Sequence, residues 1–486
     1  MKPTELVFSL QDTIVRRNNT LLINEFRWQV NRGECWWICG INGSGKTTLL
    51  EILAGQERIA GGKLILPENV SYENFTSSVA LIRRDFTLYH LFNISANFYQ
   101  QRYFSLGVED TPPVIDFIIS ETGESEENIR SAALEFAIEK LMDKHIVSLS
   151  TGEGRRIPLL MLWLTDKKII CIDDPYAGLD PDGKNLVSRA LQMLLKKNVT
   201  VLITSVELYP PDFINHVLLI ENKHVAYSGK TEFFKTEGIK QAKPVDAFKI
   251  RNQVCLGFDY SFKVAAWMNN ITIKYGENIV QKDFSWKINR GDKWMLSGPN
   301  GSGKSTLMSL IFGDNPMAYA YEIVVFDKVR GTGETIWDVK RPMGFFSSEL
   351  QQFFPRNITL YEAVLTGFSD HLLVRSDLTP EHYKQADELI EAARITPHKE
   401  TALGRLSFST CRLALVCRAL VKLPPFVILD EPCQGLDQVT SVTVNDLVDI
   451  VCGGENKTLI YVTHQTDLMP KVINKKLELN KFIRGK

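Results

Sequence analysis

No stretch of the sequence approaches the roughly 18–20 uninterrupted apolar residues that a membrane-spanning helix needs. The start, MKPTELVFSL, lacks a basic region followed by an apolar core, so no signal peptide is expected. The expected location is therefore the cytoplasm. Any membrane association is expected to be peripheral, on the cytoplasmic face of the inner membrane and borrowed from a partner. An excess of basic charge is also missing: 56 Lys and Arg stand against 57 Asp and Glu. Proteins that live on a phosphate backbone show such an excess, so this balance weighs against nucleic acid as a main partner. CxxC pairs are absent among the eight cysteines at 35, 39, 171, 255, 411, 417, 433 and 452. That weighs against metal ligation or a disulfide. Cys35 and Cys39 lie in an apolar run and are expected as buried thiols.

What is present is length and repetition. At 486 residues the chain is too long for one core and suits two domains. NEFRWQVNRGECWWICGINGSGKTTLLEILAG at 24–55 matches KDFSWKINRGDKWMLSGPNGSGKSTLMSLIFG at 282–313 without a gap, an offset of 258 from Gly40 to Gly298. Such self-similarity means two copies of one domain. The expected division is 1–235, a short linker at 236–262 and 263–486. In each copy an apolar strand (CWWICG, KWMLSG) leads into a Gly-rich loop and a helix. After a polar, helix-rich middle come a continuous apolar strand (KKIICIDD, PFVILDE), another helix and another strand. Continuous apolar strands alternating with helices predict a parallel sheet covered on both faces.

Both Gly-rich loops fit GxxxxGK[ST]: Gly40, Ile41, Asn42, Gly43, Ser44, Gly45, Lys46 and Thr47, then Thr48; and Gly298, Pro299, Asn300, Gly301, Ser302, Gly303, Lys304 and Ser305, then Thr306. The glycines let successive backbone N–H groups turn toward one anion at a helix N-terminus. Lys46 and Lys304 would reach the terminal phosphates of a nucleotide, and the hydroxyls of Thr47 and Ser305 would hold Mg²⁺. A chain of this length matches the pattern by chance roughly 2% of the time, so two matches in the right context are highly specific. Downstream, each apolar strand ends in acid, Asp173-Asp174 and Asp430-Glu431. The first acid would join the metal shell, and the second would orient or deprotonate the attacking water.

With these motifs the chain resembles the ABC ATPase superfamily over nearly its whole length. The family's signature, roughly LSGGQ, is matched by Leu149-Ser150-Thr151-Gly152-Glu153 and, worn down, by Leu406-Ser407-Phe408-Ser409-Thr410. GLD follows the acids in both copies, and His464 falls where the family keeps its switch histidine. The resemblance implies an α/β fold of two P-loop NTPase domains of ABC type. Each would have a mainly parallel core sheet, an antiparallel β subdomain and a helical subdomain. ATP and Mg²⁺ are the implied cofactors, ATP hydrolysis the implied reaction, and a membrane permease docked at the helical subdomains an implied partner.

The resemblance also implies that each ATP lies between the P-loop of one copy and the signature of the other. The site on the second P-loop would then use Lys304, Ser305, Asp430, Glu431 and His464, with Tyr275 on adenine and Ser150 and Gly152 from the opposite signature. The site on the first P-loop keeps Lys46, Thr47 and Asp173 as its phosphate and metal residues. It has Asp174 in place of glutamate, Ser205 in place of histidine, Arg17 in place of Tyr275, and Ser409 in place of a signature glycine. One competent and one degenerate site are expected, with Asp174 the weaker of the two catalytic acids. The Q-loop glutamine that links nucleotide to a transporter partner is missing from both copies, which read Arg83-Arg84 and Ser347-Ser348. The closest likeness is to the ModF (PhrA) type of tandem ATPase, associated with molybdate transport. It rests on the short linker, LSTGE, the Ser-Ser pair and RLALVCRALVKLPP at 412–425. The alternative is a non-transport ABC ATPase acting as an ATP-dependent switch on a soluble partner.

Overall fold

The computed structural model describes residues 5–17, 20–83, 112–146, 149, 151–154, 156–177, 179, 181–235, 261–275, 278–369, 374–464 and 468–480. These fall into two compact units, one ending at Lys235 and one starting at Ser261. The expected linker lies almost wholly outside the described residues, as do Arg84, Ser150 and Asp180.

In the first unit, β1 (Leu6–Arg17), β2 (Thr20–Asn31) and β4 (Gly61–Ile65) form an antiparallel sheet in the order β2-β1-β4. A second sheet runs β5-β6-β7-β3-β8-β9, built from β3 (Cys35–Gly40), β5 (Val79–Ile82), β6 (Ile169–Asp173), β7 (Thr200–Ser205), β8 (His216–Glu221) and β9 (His224–Lys230). All its pairs are parallel except the β8–β9 hairpin.

The pleat of β3 shows how the sequence builds this. Trp36 and Ile38 point to one face, where they join Trp28, Leu49 and Leu202 under the antiparallel sheet and the P-loop helix Lys46–Leu53. Cys35, Trp37 and Cys39 point to the other, among Leu160, Leu191 and Ile203. With both faces covered, no polar position is tolerated, hence the unbroken apolar run. Burial pushes the Cys39 thiol up to about 12 and raises that of Cys35 further, so both stay neutral. The helix Pro181–Lys196 buries Val187, Ala190, Leu191 and Leu194, a spacing that places one stripe against the sheet.

The second unit repeats the plan. Its antiparallel sheet orders β11 (Asn278–Asn289), β10 (Val264–Tyr275), β13 (Ile323–Val325) and β14 (Lys328–Val329). Its core sheet runs β15-β16-β17-β12-β18, from β12 (Lys293–Ser297), β15 (Met343–Ser347), β16 (Phe426–Asp430), β17 (Thr458–Val462) and β18 (Lys475–Glu478), with every pair parallel. Phe426 and Ile428 face the antiparallel sheet, whereas Val427 and Leu429 face the helices Leu360–Leu365 and Phe408–Leu420. Truncating a fully buried residue such as Leu429 to Ala would cost about 2–5 kcal/mol. The edge-to-face pair Trp28–Trp36, with centroids 5.4 Å apart, recurs as Trp286–Trp294 at 5.6 Å. The duplication therefore extends to packing detail.

Candidate functional site

In each unit the P-loop leaves the C-terminal end of a central strand, β3 or β12, and caps the helix Lys46–Leu53 or Lys304–Phe312. Gly40 has φ 150°, and a Cβ there would sit 2.3 Å from the Ile220 carbonyl oxygen. Gly298 has φ 143°, and a Cβ there would sit 2.5 Å from the Leu479 carbonyl oxygen. The left-handed Gly45 and Gly303 cap the two helices, whose first N–H groups have no partner within the helix. Lys46 Nζ donates to the carbonyls of Gly40 (2.8 Å) and Ile41 (2.9 Å). Lys304 Nζ does the same to Gly298 (2.7 Å) and Pro299 (3.1 Å). Both ammonium groups are thus folded over the loop. Inside it, the hydroxyls of Ser44 and Ser302 are buried, with no hydrogen-bond partner among the described residues. A cradle that a Cβ would fill, a lysine over it and an orphaned hydroxyl within it fit a phosphate chain.

Beside each loop lies a hydroxyl–carboxylate pair suited to a hard cation. Thr47 Oγ1 donates to Asp173 Oδ2 at 2.9 Å, and Ser305 Oγ donates to Asp430 Oδ2 at 2.8 Å. The oxygen-only donor set fits Mg²⁺. The same Asp173 accepts a hydrogen bond from Thr204 at the end of β7.

The second acids occupy a strained turn in both units. Asp174 has φ 50° and Glu431 φ 52°, in the left-handed region where side-chain-bearing residues are uncommon. Backbone bonds from Asp174 N to Thr204 O (3.1 Å) and from Glu431 N to Val462 O (3.0 Å) hold the turns. The same left-handed turn thus recurs at the corresponding place in both copies.

Around that turn the units differ. His464 Nε2 lies 2.9 Å from Glu431 Oε1, while Gln434 Nε2 donates to Glu431 Oε2. In the first unit, Ser205 ends β7 at the place corresponding to His464, and its hydroxyl accepts from Glu207 N at 3.0 Å. Ala177 stands where Gln434 stands.

Sequence reasoning did not single out Gln434, though it lies three residues after Glu431. It also missed Arg412, whose signal was a charged residue inside the otherwise apolar helix Phe408–Leu420. A third omission was Glu51, buried in the first P-loop helix. Its carboxylate lies 3.1 Å from Arg83 and 3.6 Å from Arg17, so Arg17 is tied to the helix at the end of β1. Burial raises the Glu51 pKa, and the two guanidinium groups pull it back in part.

The remaining predicted residues are placed as follows. Tyr275 ends β10, at the position Arg17 holds in β1. Gly152 lies in the helical turn Thr151–Gly154. Ser407 caps its helix, accepting from Thr410 N at 3.2 Å, and Ser409 is buried in the first turn. Ser347 pairs in register with Asp430, which puts the Q-loop position of the second unit beside that carboxylate.

The model of the family described as ABC transporter matches residues 23–177 and again residues 281–434. The ABC transporter ATP-binding protein ModF of Escherichia coli K12 is 28% identical, over 96% of this chain and 96% of its own length. An uncharacterized ABC transporter ATP-binding protein of Schizosaccharomyces pombe is 26% identical, over 94% and 95%. Among solved structures, the complex of the archaeal ribosomal stalk protein aP1 with the ribosome recycling factor aABCE1 matches with a TM-score of 0.53 at 18% identity. That match covers 96% of this chain and 87% of that one, and shows a common fold. With two matching segments, each carrying its own P-loop and acidic strand end, the chain belongs to the ABC transporter family as a tandem of two ATP-binding cassettes.

Proposed function

We propose that the chain is a Mg²⁺-dependent ATPase whose second cassette turns ATP over while the first retains it. We propose further that it is the energy-coupling subunit of, or an accessory to, a transport system. The observation that carries the catalytic reading is the pair of neighbours around Glu431, His464 at 2.9 Å and Gln434, against Ser205 and Ala177 around Asp174. In the second cassette Lys304 and the loop N–H groups bind the phosphates. Ser305 and Asp430 would hold Mg²⁺, which supplies positive charge to the phosphate oxygens. Glu431 takes the proton of the attacking water, and His464 fixes the carboxylate and the water against the terminal phosphate. In the first cassette Lys46, Thr47 and Asp173 bind in the same way. Asp174 is one methylene shorter than Glu431, and a misplacement of about 1 Å costs roughly 100-fold.

The deciding experiment compares Glu431→Gln with Asp174→Asn. The first should lower phosphate release by about 10²-fold or more with ATP still bound, within the range for lost general-base catalysis. The second should change it far less. Equal damage from both would mean two catalytic sites.

Similarity to ModF over the whole chain supports the transport-associated role. The molybdate association is what that resemblance implies. A second reading, a conformational switch on a soluble partner, is favoured by the Q-loop positions, where Arg83 and Ser347 stand in place of glutamine. Glu431→Gln protein, used as bait in membrane and cytosolic extracts, separates the two. A co-purifying permease supports transport; recovery of only soluble partners supports the switch.

A further inference from the structure

Behind Glu431 the second cassette holds a chain of donors that all point the same way. Arg412, 2% exposed, lies in the signature helix Phe408–Leu420. Its Nη2 donates to Ser348 Oγ at 3.0 Å. Ser348 Oγ in turn donates to Gln434 Oε1 at 3.2 Å, and Gln434 Nε2 donates to Glu431 Oε2. A cation thus stands at one end of the chain and a carboxylate at the other, the polarity in which successive hydrogen bonds reinforce one another.

The guanidinium is itself fixed on several sides. Nε donates to Gln351 Oε1 at 2.7 Å, and Nη1 donates to the backbone carbonyl of Gln434. The Phe408 ring lies 4.7 Å from its centre. A buried charge is costly unless it is so engaged, and the expense needs a purpose. In the first cassette Ala177 stands in place of Gln434 and Arg84 in place of Ser348, while Arg155 keeps the place of Arg412.

We infer that Gln434 and Arg412 are positioning residues for the Glu431 carboxylate, with Ser348 relaying the signature helix's position to it. The inference rests on the proposed catalytic role of Glu431. Gln434 holds one carboxylate oxygen by a hydrogen bond, and His464 Nε2 lies 2.9 Å from the other. A shift of the signature helix would move Arg412, release Ser348 and loosen Gln434. Alignment of the carboxylate is thereby coupled to the helical subdomain of its own cassette, through the Ser348 hydroxyl, one residue beyond the position where Ser347 replaces the family's glutamine.

The test uses the full-length protein and four variants: Gln434→Ala, Ser348→Ala, Glu431→Gln and the double variant Glu431→Gln/Gln434→Ala. The readouts are kcat, KM, equilibrium ATP binding and melting temperature. Gln434→Ala should lower kcat roughly tenfold or more, as for a catalytic group displaced by a fraction of an ångström, while KM and ATP binding hold. Ser348→Ala should lower kcat in the same direction by a smaller factor. On the Glu431→Gln background, Gln434→Ala should change turnover by less than about twofold, because the group it positions is gone. Loss of one hydroxyl at Ser348 keeps the relay testable if an Arg412 variant fails to fold. Wild-type kcat in Gln434→Ala, or an equal loss on the Glu431→Gln background, would overturn the inference. Wild-type kcat in Ser348→Ala alone would remove Arg412 from it. Wild-type turnover in Glu431→Gln would instead bring down the catalytic reading, and is told apart by that variant alone.

Discussion

The two turns that follow the acidic strands have the same backbone and different chemistry. Asp174 and Glu431 share a left-handed φ, a parallel strand behind them and a backbone bond to the next strand. The Glu431 side chain is one methylene longer, and His464 and Gln434 flank its carboxylate. The backbone of the turn is kept in both cassettes, while the histidine and glutamine beside it are present in one. On the proposed reading, scaffold and activity are separable here. The strained turn is fixed by hydrogen bonds of the main chain, which side-chain replacement leaves alone, whereas water activation depends on side-chain reach within about an ångström.

The comparison is broken most severely at the lysines. Lys304→Ala removes the cation over the second loop and should cut phosphate release by about 10²–10³-fold, the range for losing one preorganised charge stabiliser. Lys46→Ala should mainly reduce the nucleotide retained after gel filtration, with a much smaller effect on turnover. Equal losses of turnover from the two changes would mean that both cassettes hydrolyse.

A gain-of-function change sharpens the contrast. In Glu431→Gln protein, adding Asp174→Glu with Ala177→Gln should restore turnover by about tenfold over that background, since general-base assistance contributes about 10²–10⁴-fold and Ser205 remains in the histidine's place. Single-turnover hydrolysis measures it. No gain would show that the first cassette's defect lies outside the acidic turn.

The smallest effect concerns Glu51, whose counterpart in the second cassette is Ser309. Burial raises its folded pKa above the unfolded value, so its ionisation is penalised in the native state. Its contribution to stability is full below the unfolded pKa and is lost as pH rises through the folded one. Melting temperatures of wild type and Glu51→Gln should therefore coincide near pH 4. They should separate in the variant's favour by a few degrees toward pH 7, about what 1 kcal/mol moves a domain of this size. A variant less stable at pH 7 would mean that the ion pairs with Arg83 and Arg17 outweigh the burial.

Much of this was legible in the chain itself. The gapless repeat, the two P-loops and the apolar strands ending in acid predicted two cassettes with parallel core sheets, and the family match and the fold agree. The reason is local. A loop that turns N–H groups inward needs glycine at fixed positions, and a strand covered on both faces admits no polar residue, so both constraints are written in consecutive residues. The replacements at 174 and 205 were visible for the same reason.

What the sequence could not order was proximity between residues far apart in the chain. Arg412 and Ser348 are 64 positions apart, and nothing in either neighbourhood says that a guanidinium in an apolar helix reaches the end of β15. Glu51 reads as an ordinary helical glutamate until β5 brings Arg83 to it. Sequence alone determined the number of domains, the phosphate loops, the acids at the strand ends and which cassette kept its glutamate, because each is set by local backbone or burial rules. Only the tertiary structure decided which side chains hold that glutamate in place. Hydrogen bonds between distant elements depend on how sheets and helices pack, and packing leaves no periodic mark in the chain.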